Sequence, residues 1–155
     1  MANKAIGTLG TIPQLTVGGQ VFTDLTNLIE LIGYTTGTQY ATMRRTTTTT
    51  DTVGSGYQAT GSGFQIYACK MYQTVLSGGT TVRFLYGDDD KQFASAAAPT
   101  NALYFGGNAN LVHLAAAAAD SSKEGALRGL TPVNKYTAMQ GSGSNVYGYL
   151  YGYAT

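Results

Sequence analysis

Asn145-Val146-Tyr147-Gly148-Tyr149-Leu150-Tyr151-Gly152-Tyr153 is the stretch that decides the fold class. Tyrosine stands at every second position from Tyr147 to Tyr153. In an extended strand, a period of two sends these four rings to one face. Gly148, Leu150 and Gly152 occupy the other face, where a second sheet or backbone can approach closely. A tyrosine ring is apolar along its body and polar at its tip, so the row suits a half-wet surface or an interface. The stretch predicts a β protein whose surface is built for contact.

Composition points the same way. The chain has 155 residues, enough for one domain with a sizeable core. Only 11% of residues are charged, 9 basic against 8 acidic, where about a quarter is usual. Thr, Ser, Asn, Gln, Gly and Tyr supply the polarity instead. A neutral surface of this kind has no field to steer an anion, and Arg44-Arg45 is too little basic charge for phosphate recognition, so no nucleic-acid partner is expected. Met1-Ala2-Asn3-Lys4 leads into no apolar run of signal-peptide length, and no segment reaches the ~18 apolar residues of a membrane span. Cys69 is the single cysteine, so no intramolecular disulfide forms; its strand-like context reads as a small buried hydrophobe.

Along the chain, residues 1–20 read as an extended arm. Gly7, Gly10, Pro13, Gly18 and Gly19 interrupt every short apolar pair, so the arm is either loose or ordered by a neighbour. Ile12, Pro13 and Leu15 are its candidate docking residues. Residues 21–155 form a single domain. Leu25, Leu28, Ile29 and Ile32 share a helical face, but the neighbouring pattern favours a turn at 23–26 and a strand from Asn27 to Thr35. Further strands are expected at 39–45, 64–75, 80–86, 101–105, 110–114, 126–130 and 135–139. Phe64–Val75 is the central strand, with Tyr67, Cys69 and Met71 on its core face. Ser77-Gly78-Gly79 is a hairpin signal that would pair it with Thr80–Tyr86. Thr46–Thr50 has no core face and reads as an edge or exposed loop. Short strands separated by Gly, Ser, Asn and Pro clusters, with no crossover helices, predict an antiparallel β-sandwich or barrel.

Candidates for chemistry are few. Asp88-Asp89-Asp90 could hold a hard cation, but three consecutive side chains do not converge and Lys91 follows, so a solvated turn is expected and no metal. His113 has no second histidine for zinc and no Gly-x-Ser-x-Gly elbow to form a triad with. Gly54-Ser55-Gly56 and Gly61-Ser62-Gly63 precede no Gly-Lys-Ser/Thr, so no phosphate loop is present. Neither a catalytic residue nor a cofactor is expected. Tyr147, Tyr149, Tyr151 and Tyr153 are left as the candidate interface, with stacking on sugar C–H faces as the rival use of the same rings.

Several phrases then carry a resemblance. Gly56-Tyr57-Gln58-Ala59-Thr60, Phe64-Gln65-Ile66-Tyr67-Ala68, Leu85-Tyr86-Gly87-Asp88-Asp89-Asp90, Ala98-Pro99-Thr100-Asn101-Ala102-Leu103-Tyr104-Phe105-Gly106-Gly107, Thr131-Pro132-Val133-Asn134-Lys135-Tyr136 and Leu150-Tyr151-Gly152-Tyr153 follow in an order that resembles jelly-roll capsid decoration (cement) proteins of tailed bacteriophages. The resemblance spans about residues 27–155. Where that group often has Pro-Ala-Gly before the long central strand, this chain has Thr60-Gly61-Ser62-Gly63. The resemblance implies an all-β, antiparallel sandwich of jelly-roll type. It also implies a non-enzymatic virion protein, made in the host cytoplasm and placed on the outer capsid surface. There it would bind the major capsid protein as a homo-oligomer, a dimer or trimer, and bridge neighbouring subunits. A tail or fibre-base structural protein and a carbohydrate-binding sandwich module are the alternatives.

Overall fold

A computed structural model of the protein describes residues 13–46, 56–73, 80–91, 95–105, 112–114, 121–142 and 145–155. Among them there is no helix. The strands are β1 (Leu15–Val17), β2 (Gln20–Phe22), β3 (Ile29–Thr35), β4 (Gln39–Thr42), β5 (Arg44–Arg45), β6 (Phe64–Gln73), β7 (Thr80–Gly87), β8 (Leu103–Tyr104), β9 (Val112–Leu114), β10 (Ser121–Thr131), β11 (Tyr136–Ser142) and β12 (Val146–Ala154). The first large sheet has the order β10-β6-β12-β3-β5, and the second β4-β11-β7-β8, with β9 also on β7. Every pairing in both sheets is antiparallel.

One apolar layer joins the two sheets. Ile29, Leu31, Phe64, Ile66, Met71 and Leu150 come from the first sheet, and Ala41, Val82, Phe84 and Met139 from the second; all belong to one buried cluster. The alternation in β12 and β3 supplies its closest contact. Gly148 pairs with Gly33, and both face inward. A Cβ added at Gly33 would lie 2.7 Å from Met139 Sδ, and one at Gly148 would lie 3.0 Å from the same atom. The missing side chains therefore form a hollow, and the Met139 thioether from the opposite sheet fills it. An unbranched, polarizable chain suits such an irregular gap.

The segment is a strand and not a helix, but it begins at Ile29, two residues later than expected, and the bend falls at Thr26–Asn27: Asp24 accepts hydrogen bonds from the Asn27 N–H (3.2 Å) and Nδ2 (3.1 Å), closing the turn before β3. Of the threonine run only Thr46 is described; its N–H donates to the Glu30 carbonyl (3.0 Å) at the sheet edge.

Four expectations need correction. The strand expected at 39–45 divides at Met43 into β4 and β5, which belong to different sheets. The β6 and β7 strands are not a hairpin, because they belong to different sheets. A Gly-rich link serves equally well for a tight return and for a step between layers; residues 74–79 themselves lie outside the described ones. Tyr67 is not on the core face with Cys69 and Met71. The β6–β12 register shifts between Tyr151 and Gly152, and the β6–β10 register shifts between Ala126 and Gly129. This bulge resets the alternation, so Tyr67 and Ala68 both join the outer-face cluster while Cys69 and Met71 remain inside. Finally, residues 15–20, expected to belong to the arm of residues 1–20, are packed together with Val21 and Phe22. They form the β1–β2 hairpin, turned by Gly18 (φ 57°) and Gly19 (φ 82°), the positive-φ pair that a two-residue hairpin turn requires. Val17 and Phe22, at 3% and 4% exposure, hold it down on the first sheet.

Gly33→Val should lower unfolding stability. Overpacking against Met139 costs about 1–3 kcal/mol, whereas the gain in strand propensity is at most about 1 kcal/mol. In urea unfolding, adding Met139→Ala to Gly33→Val should cost much less than Met139→Ala does alone, where truncation of a buried methionine costs about 2–5 kcal/mol.

Candidate functional site

The tyrosines of β12 lie on the outer face of the first sheet, and the registers of β3 and β6 extend them sideways. Tyr147 stands opposite Tyr34 on one side and Tyr72 on the other. Its ring centroid is 4.5 Å from that of Tyr34 and 6.3 Å from that of Tyr72, giving a transverse row of three half-buried rings. The next row holds Ile32, Tyr149 and Lys70, with the Lys70 ammonium 5.3 Å from the centre of the Tyr149 ring. Such a contact holds the lysine stem flat and leaves its charge at the rim.

The other half of the same face is covered by the chain itself. The β1–β2 hairpin lays Val17 and Phe22 over Ala68 and Tyr151, with Leu15, Leu28, Tyr67, Tyr149 and Tyr153 around them. Phe22 sits 6.3 Å from Tyr151 and 6.1 Å from Tyr153. The hairpin tip is tied to the sheet edge, where Gly18 N–H donates to Glu124 Oε1 (2.9 Å). The Tyr153 hydroxyl donates to the Asp24 carbonyl (3.0 Å) and fixes the chain leaving β2. Tyr151 is buried, and its phenol donates to Glu30 on β3. Burial, and then the hydrogen bond and charge of Glu30, push its ionisation well above the ordinary tyrosine value. Tyr149 and Tyr153 are raised in the same direction, first by burial and then by Glu30 and Asp24 respectively.

The remaining candidates fall elsewhere. Ile12 lies outside the described residues, Pro13 is exposed, and Leu15, in β1, packs at the margin of the hairpin's apolar cluster. The three aspartates turn to separate partners: Asp88 to Lys135 and Asn101, Asp89 to the Thr100 N–H and Lys91, and Asp90 to the Gly56 N–H. They brace a loop, and among the described residues no cluster of three His, Cys, Asp or Glu could hold a metal ion. His113 lies in β9, opposite Thr81. Cys69 is buried, and desolvation pushes its thiol up to about 12. Among the described residues, no helix is long and apolar enough to cross a membrane.

Sequence reasoning missed two features. One is the extension of the tyrosine face through Tyr34 and Tyr72, which only the register reveals. The other is a polar cluster outside the second sheet. There Tyr104 donates to Gln140 Oε1 (2.8 Å), Arg83 Nη1 donates to the same oxygen (3.3 Å), and the guanidinium stacks 3.8 Å from the Tyr104 ring centre.

Comparison with family models, with curated proteins and with solved structures finds no match to this chain.

The raised tyrosines predict an alkaline limit to stability. An unfolded tyrosine loses its proton near its ordinary value of 10.0, while Tyr151 in the folded chain holds on to it. The stabilisation is therefore complete below pH 10 and is lost as pH climbs above it. Urea midpoints should fall between pH 8 and pH 11. Tyr151→Phe should lose about 1 kcal/mol at pH 8 through the missing hydrogen bond. Its decline above pH 10 should be shallower, not absent, because Tyr104, raised to about 12, still contributes.

Proposed function

We propose that this chain is a non-enzymatic viral structural protein, a capsid decoration protein. It binds the outer surface of an icosahedral head and bridges neighbouring capsid subunits as a dimer or trimer. The observation that carries the reading is the split use of one aromatic face. Its hairpin half is buried by an apolar β-ribbon, and its Tyr34–Tyr147–Tyr72 half remains half-exposed in the same plane. A face that accepts a ribbon of its own chain is shaped to accept an extended segment of another. Rings on rigid strands lose little freedom on binding, which is why tyrosine is favoured at contact centres.

The strand order supports the jelly-roll reading. With the short strands β5, beside β3, and β9, on β7, left aside, counting β3, β4, β6, β7, β8, β10, β11 and β12 as one to eight gives 6-3-8-1 and 2-7-4-5. This order is compatible with two nested Greek keys, an architecture common in viral capsid and lectin domains. Low charge fits the role too, since many copies crowded on a shell would otherwise repel one another. Repetition of sites compensates for modest affinity at each one.

Purified protein should co-sediment with virus heads that lack it and raise the temperature at which they lose their contents. Tyr147→Ala should weaken that binding by about 1 kcal/mol or more, while the free protein, which loses roughly 0.5–1.5 kcal/mol with the Tyr34 ring contact, stays folded at the assay temperature. A protein that neither binds heads nor protects them would refute the proposal, and labelling confined to tails would move it to a tail or fibre base.

A further inference from the structure

We infer that the cleft beside β2, on the far side of the hairpin from β1, is a binding site for a neutral saccharide. The cleft has a volume of about 400 Å³ and is lined by Gln20, Val21, Phe22, Thr23, Asp24, Tyr67 and Tyr153. That lies within the range of small-ligand sites. Its rings belong to three different elements and meet in a cluster: Tyr67 and Tyr153 are 6.0 Å apart, and Phe22 is 6.5 Å from Tyr67. Phe22 is buried beneath, so the half-exposed rings of Tyr67 and Tyr153 give the site its apolar surface.

The polar groups select the ligand. Asp24 uses its carboxylate oxygens on Asn27, one bond to each. Each oxygen keeps a further lone pair, so the carboxylate can accept hydroxyl donors. Thr23 adds a hydroxyl and Gln20 an amide. An anionic ligand is disfavoured by the Asp24 charge. Arg128 adds a compensating positive charge beside the Tyr67 ring, its guanidinium 4.9 Å from the ring centre. Arg128 is held there by donating to the Tyr67 carbonyl (2.8 Å) and to Gln20 Oε1 (3.2 Å). A wholly apolar ligand would strip water from Asp24 and Thr23 without replacing its hydrogen bonds. What satisfies both the rings and the acceptors is a molecule with a C–H face and a rim of uncharged hydroxyls, which describes a pyranose. The rings of this site are Tyr67 and Tyr153, not the Tyr147 and Tyr149 pair that period alone suggests.

The test is an array of neutral oligosaccharides (glucosides, galactosides, mannosides and N-acetylglucosamine oligomers) probed with the full chain, followed by titration calorimetry on the strongest class. Binding of at least one class is expected. Tyr67→Ala should reduce it by roughly tenfold or more, the scale of one lost ring contact. Val21 is 56% exposed on the rim, so Val21→Arg should block the cleft without disturbing the fold. Tyr147→Ala should bind sugar as the parent does, which separates this site from the head-binding face. Silence across the array at millimolar sugar, unchanged binding by Val21→Arg, or selection of peptides or sulfated glycans over neutral ones would each overturn the assignment.

Discussion

The fit of Met139 into the hollow left by Gly33 and Gly148 is the constraint on which the rest depends. It lets the sheets approach at the centre of β12, the strand that lies between β6 and β3. With glycine at two inner positions of β12, Gly148 and Gly152, much of its side-chain bulk goes to the outer positions, and there the chain carries tyrosine. Inner glycine and outer tyrosine are thus two halves of one solution. The period of two in the strand converts a packing requirement on one face into a ring-rich surface on the other.

That surface is finished by the β1–β2 hairpin. Two strands of three residues bury little area and would not hold together in water alone. They persist because Val17 and Phe22 find the rings of Tyr151 and Tyr153, and because Glu124 and Asp24 anchor the two ends. Its free edge also leaves the cleft over Tyr67, so one small element both closes part of the face and creates a concavity beside it.

The legible part of the fold was the part with period. In β12 the alternation of Tyr with Gly or Leu gives strand, face and inner packing from the text alone. In β3 the helical and strand patterns compete locally, and long-range pairing with β12 and β5 settles the matter in favour of the strand. The position of Tyr67 was not legible, because a bulge shifts the phase of a strand whose residues give no sign of it. The hairpin was illegible for a related reason. Its apolar contacts, Leu15 and Val17 in β1 and Phe22 in β2, are too few to show a period, and their partners on β6 and β12 are far away in sequence. Arg128 on Gln20, 108 positions apart in the sequence, shows how non-local that corner is. The cleft inherits this illegibility, since it draws on β2, β6 and β12 together.

Tyrosine is the residue that lets such a face be covered in one half and bare in the other. A row of leucines would bury as well beneath the hairpin, but its uncovered half would be an apolar patch prone to self-association. A row of lysines would stay soluble but would resist coverage. The phenol serves both states. Under the hairpin, Tyr151 gives its hydrogen to Glu30 and Tyr153 gives its hydrogen to the Asp24 carbonyl, so burial leaves neither unsatisfied. In the open half, Tyr34, Tyr72 and Tyr147 stack on one another with their edges half-buried, which reduces the apolar area shown to water. The free-energy difference between the bare and covered states is accordingly small per ring. A face of this kind gains from an added ribbon without requiring one.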